Sequence, residues 1–136
     1  MKVFLDQFCL SQGGDESPAE LSVNGRNAVQ EVPLLRGSTA AIFARGGRIN
    51  TVEFAVVRQH TSHGAAEGFL FFHAAMLPPG GTLTFLCEDA DGAAVRYVAE
   101  AAAVASDQGT QAGVTTTHRY TLRCGAIRGG ELSTFI

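Results

Sequence analysis

Tryptophan is absent from the 136 residues, and lysine occurs once, at position 2. Tyrosine occurs twice, as Tyr97 and Tyr120. A chain so poor in the two amphipathic aromatics has little with which to build a sugar-stacking platform. Charged residues make up 17%, below the roughly 25% of an average soluble domain. The ten bases fall short of the thirteen acids, for a net charge of −3. Residues 1–60 hold six of each sign, and the acidic excess lies in residues 61–136, with four bases against seven acids. That balance argues against a nucleic-acid binder, which needs a basic face to collect phosphates.

Cysteine is scarce and widely spaced. Cys9, Cys87 and Cys124 form no CxxC pair, which excludes a zinc knuckle or a thioredoxin-type site. Each sits in an alternating apolar stretch, where a thiol behaves as a small buried hydrophobe, and a reducing compartment suits it. Long apolar runs are missing too. Near the start, Asp6 and Gln7 cut the run to Val3-Phe4-Leu5, too short for the core of a signal peptide. Elsewhere the longest, Gly68 to Leu77, is too short to span a bilayer. The expectation is a cytoplasmic protein that contacts neither membrane nor nucleic acid.

What is abundant is glycine, at 16 residues, and period-two alternation. Residues 3–10 alternate as a first strand. A polar loop follows over Ser11–Glu20, then a short strand Leu21–Val23 ending at the tight-turn pair Asn24-Gly25. Ala28–Leu35 is extended, with Pro33 confining it to an edge or a bulge. Ser38–Arg45 and Arg48–His60 are expected to form a hairpin closed by Gly46-Gly47. Within the second arm Val52, Phe54 and Val56 share a face.

The period then changes to 3.6. Ser62–Leu77 is expected to be a helix, capped by Thr61 or Ser62 and stopped by Pro78-Pro79-Gly80-Gly81. Ala66, Phe69, Leu70, His73 and Leu77 share one face, and apolar residues spread far enough round to suggest cover on a second side. Thr82–Glu88 and Ala93–Ala105 are expected to make another hairpin, closed by Asp89-Ala90-Asp91-Gly92, with a helical turn the alternative in the alanine-rich second arm. Ser106–Gly113 is a polar loop, and Val114–Cys124 is the last good strand, with His118, Tyr120, Leu122 and Cys124 on its apolar face. The expected fold is mainly β: a single domain, 1–136, an antiparallel sandwich or barrel with one inserted helix at about 62–77.

No chemistry is legible. His60, His63 and Glu67 approximate a zinc spacing but lack the HExxH pattern. His73 and His118 fall on apolar faces, where each is expected as a core histidine bonded to a backbone carbonyl. No serine lies in a GxSxG elbow, and no phosphate loop follows Gly46-Gly47. No catalytic residue, cofactor or metal is therefore assigned. The two charged turns are the remaining candidates: Arg45 and Arg48 on one, Glu88, Asp89 and Asp91 on the other. Their opposite charge suits a head-to-tail contact between subunits.

The order strand, Arg-Gly-Gly-Arg, strand, helix, Pro-Pro-Gly, strand resembles small prophage-encoded tail proteins, the tail-tube group and its relatives. The resemblance lies in Leu34 to Phe85, LLRGSTAAIFARGGRINTVEFAVVRQHTSHGAAEGFLFFHAAMLPPGGTLTF, somewhat over a third of the chain. It implies a β-sandwich or barrel with one flanking helix and subunits joined through edge strands and loops. The expected function is that of a structural assembly protein, a phage or prophage tail component in a tube, connector or completion role. Its partners would be copies of itself, in a ring or other homo-oligomer, and other tail proteins. The alternative is a small β-rich module that binds a glycan or small ligand.

Overall fold

A computed structural model describes residues 1–33, 40–88 and 94–132. It is mainly antiparallel β with one helix, in the class the sequence leads one to expect. The strands are β1 (Lys2–Leu5), β2 (Phe8–Ser11), β3 (Ala19–Pro33) and β4 (Ala40–Gln59), then β5 (Gly80–Glu88), β6 (Ala94–Ala112), β7 (Thr115–Cys124) and β8 (Arg128–Leu132). Helix α1, His63–Met76, lies between β4 and β5. All eight strands belong to one sheet, ordered β2-β1-β5-β6-β7-β4-β3, with β8 beside β6.

The sheet curls over a single core. Alternation puts Val52, Phe54 and Val56 of β4, Leu83 and Phe85 of β5, and Tyr120, Leu122 and Cys124 of β7 on the inner face. Val3, Leu5 and Leu10 close it from β1 and β2. Two strands separate β4 from β5 in the sheet, yet Phe54 meets Phe85 edge-to-face at 6.5 Å. Only a strongly curved, barrel-like sheet brings those rings together.

Helix α1 forms where expected. The Ser62 hydroxyl accepts a hydrogen bond from the Ala65 amide at 3.1 Å, filling one of the free donors of the first turn. Leu77 ends the helix in extended geometry ahead of Pro78. Ala66 and His73 are buried against the sheet, whereas Phe71, Phe72 and Met76 are exposed. The expected cover on a second side is not found among the described residues.

Several expected breaks are continuous strand instead. The first strand is a hairpin: Asp6 takes a positive φ of 52° between β1 and β2, and its carboxylate accepts from the Thr82 amide at 2.8 Å. Asn24-Gly25 is no turn, because β3 runs through it, pairing Asn24 with Thr51 and Gly25 with Asn50. Gly46-Gly47 closes no hairpin either. Asn27 pairs with Arg48 and Val29 with Ala44, so residues 45–47 of β4 stand opposite Ala28 alone. The glycine pair marks a bulge, the other use of glycine in a strand. The expected loop at Ser106–Gly113 is the outer part of β6, and the turn back to β7 falls at Gly113, φ 63°.

These corrections reveal a feature of the fold. β7 supports β4 only from Asn50 to Gln59. Among the described residues, 26–33 of β3 and 40–49 of β4 pair only with each other, as a two-stranded ribbon beyond the last residue that β7 supports. Eight strand residues reach about 27 Å.

Candidate functional site

Four of the six described buried polar residues, Arg58, His73, Thr116 and His118, converge beneath α1. Along β7, Thr116, His118 and Tyr120 point inward. On β4, Arg58 continues the inner row of Val52, Phe54 and Val56, and its register partner is Thr116. From above, α1 supplies Phe69 and His73, one helical turn apart.

Arg58 is only 6% exposed, and each of its three guanidinium nitrogens has a partner. It donates to the Leu10 carbonyl and, at 3.3 Å, to His118 Nδ1. Glu16 lies 3.5 Å from its Nε, and the Phe69 ring centroid is 5.0 Å from its central carbon. Since arginine only donates, His118 Nδ1 must accept, and the His118 proton sits on Nε2. That Nε2 is buried without a hydrogen-bond partner among the described residues. A Cβ on Gly109 would lie 2.9 Å from it and 2.6 Å from Leu70 Cδ1, so the bare backbone there makes room for imidazole and helix alike.

His73 completes the array. Its Nε2 shares a hydrogen bond with the Tyr120 hydroxyl, and its ring lies 4.5 Å from that of His118. Burial, then the neighbouring His118 and Arg58, lower its pKa to about 4. Burial and Arg58 likewise lower that of His118 to about 4. Burial pushes the Tyr120 hydroxyl up to about 12 and raises the Cys9 thiol above its usual range. Both imidazoles are therefore weak bases, neutral at ordinary pH, while Tyr120 and Cys9 stay protonated. Such groups hold α1 on the sheet, and the array supplies no activated nucleophile.

Beside the array opens a cleft of about 460 Å³, between β2, the end of β4 and α1. Phe8, Phe69 and Phe72 form its apolar walls, with Cys9 and Arg58 below. Its polar groups are largely committed to the protein: Arg58 as above, and His60 through Nε2 to Thr116 Oγ1 at 2.8 Å.

The expected site residues fare differently. Arg45 and Arg48 lie within β4, in the ribbon, rather than on a turn. Glu88 is the last residue of β5, and Asp89 and Asp91 lie outside the described residues. Nothing described brings the two charged groups together. His60, His63 and Glu67 do not converge, since His63 faces Glu67 at 3.9 Å and His60 turns to Thr116. Among the described residues no group of three or more metal-ligating side chains occurs. His73 and His118 are core histidines, but side chains rather than backbone carbonyls bind them. Of the cysteines, Cys124 is buried, whereas Cys9 and Cys87 are half-buried. Arg58 was legible as the next inward position after Val56, a signal obscured by its charge.

No helix among the described residues is long and apolar enough to cross a membrane. Compared with family models and with the curated proteins, the chain matches none.

Proposed function

We propose that this is a structural assembly protein that works through contacts between its own copies. In keeping with the resemblance of Leu34–Phe85, it would serve a phage or prophage tail as a tube, connector or completion component, with other tail proteins as further partners. The observation that carries the reading is the ribbon. Two strands alone are marginally stable in water, and this pair extends some 27 Å past its last supporting strand. A second surface supports the same reading: Phe71, Phe72 and Met76 are 69%, 65% and 54% exposed on adjacent turns of α1.

The ligand-binding alternative draws less support. The cleft is roomy, but Arg58, the cation at its base, is only 6% exposed and already paired with Leu10, His118 and Glu16. Sedimentation velocity and light scattering over a wide concentration range test the proposal, with negative-stain microscopy to show the form of the product. Discrete oligomers or filaments are expected. A monomer mass at millimolar concentration, unchanged by salt, overturns self-assembly.

A further inference from the structure

Ribbon and cleft lie at opposite ends of one strand. β4 leaves the sheet as ribbon at Ile49, and nine residues later Arg58 forms the base of the cleft. Extended strand makes that separation about 30 Å. Past the bulge at residues 45–47 the described part of the ribbon has five paired residues per strand, about 17 Å, against about 30 Å to its own cleft. A neighbouring copy has no such limit.

The two ends are chemically matched. One strand of the ribbon has the sequence Ala40-Ala41-Ile42-Phe43-Ala44, five apolar residues in succession. The cleft offers Phe8, Phe69 and Phe72, and Phe72 continues into the exposed ridge with Phe71 and Met76. Charges are opposed as well. The ribbon sequence holds Arg26, Arg45 and Arg48 against Glu31, while Glu67 is exposed on α1 and the cleft's own Glu16 and Arg58 balance each other.

We infer that the β3–β4 ribbon of one copy docks in the cleft and along the outer face of α1 of the next, head to tail. The inference rests on the assembly reading above and specifies its contact. Because donor and acceptor surfaces differ, the contact is heterologous: each copy gives a ribbon and receives one, and repetition closes a ring or extends a filament.

Paired variants test it. Phe72→Asp spoils the cleft and leaves the ribbon; Ile42→Asp with Phe43→Asp spoils the ribbon and leaves the cleft. Each alone is expected to be monomeric, whereas an equimolar mixture forms a one-to-one dimer and nothing longer. Circular dichroism and urea midpoints check that each variant folds. Arg45→Glu with Arg48→Glu, a milder change, should weaken assembly tenfold or more, with partial recovery when Glu67→Arg is present in the other copy. If the unaltered protein associates and Phe72→Asp associates equally well, or if the mixture stays monomeric, this contact is wrong while the assembly reading stands. If the unaltered protein never associates, both fall.

Discussion

The guanidinium of Arg58 on β4 donates to the carbonyl of Leu10 on β2, joining the first strand of the sheet order to the last but one. Among the described residues no hydrogen-bonded ladder closes that seam, so one side chain does much of what a closing strand pair does in a full barrel. Replacing Arg58 by methionine keeps much of the bulk but leaves the Leu10 carbonyl and His118 Nδ1 without a donor. Buried orphans of this kind cost about 1–3 kcal/mol each. A loss of about 2–5 kcal/mol is expected in urea denaturation. Arg58→Lys should recover only part, because an ammonium cannot span both acceptors with the planar fork. An unaltered midpoint for Arg58→Met would mean that the seam is held by apolar packing alone.

Gly109 tests how tightly α1 is seated. A methyl group there meets Leu70 Cδ1, which can rotate away, and the His118 imidazole, which Arg58 holds in place. Gly109→Ala is expected to cost about 1–3 kcal/mol through overpacking. Hydrogen exchange should quicken in α1 before it quickens in β4. Unchanged exchange in α1 would show that the seat has slack.

The periodicities carried the class and the helix, and the reason is local. Ser62, the Ala66–His73 spacing and Pro78-Pro79 act within a few residues of one another, as do the alternating runs at Val52–Val56 and His118–Cys124. Glycine was the weak sign. Asn24-Gly25 and Gly46-Gly47 look like turns in isolation, but glycine serves a bulge or a plain strand position as well, and the choice depends on the strand opposite. Ser106–Gly113 is polar because it is exposed on the outer part of β6, not because it leaves the sheet. The interior array was half legible. Alternation and helical spacing put His73 and His118 on inner faces, but their contact depends on how α1 lies across β7, which neither segment encodes alone.

Gly81 and Asp6 form a pair whose coupling can be measured. The Asp6 carboxylate receives the Thr82 amide, and a Cβ on Gly81 would lie 2.2 Å from one of its oxygens. Gly81 also takes φ 155°, which side-chain-bearing residues rarely adopt. Gly81→Ala is expected to destabilise by about 2 kcal/mol or more, from collision and backbone strain together. Asp6→Ala alone costs about 1 kcal/mol through the lost hydrogen bond. In the double variant the collision vanishes and the strain stays, so the sum of the single effects should exceed the double by about 1 kcal/mol. Simple additivity would place the whole effect of Gly81→Ala in the backbone.

Acid should weaken the fold before the carboxylates titrate. His73 and His118 have folded pKa values near 4, against 6.5 for a free imidazole. Between those values the unfolded chain binds protons that the folded chain refuses, so stability rises with pH there. The contribution is fully present above about 6.5 and is lost as pH falls toward 4. Each histidine supplies a slope of at most about 1.4 kcal/mol per pH unit. The surroundings fix the sign: Arg58 and His60 press His118 toward neutrality and Asp107 opposes them, while His73 faces both His118 and Arg58. Urea midpoints measured from pH 7 to 5 should therefore fall steadily, ahead of the carboxylate range. His73→Phe combined with Tyr120→Phe removes both ends of one hydrogen bond and leaves no orphan. It should reduce that slope by about half, the His118 share remaining. A slope unchanged by the double substitution would mean that His73 takes up its proton in the folded protein as readily as in the unfolded chain, which its burial against Phe8, Phe69 and His118 forbids.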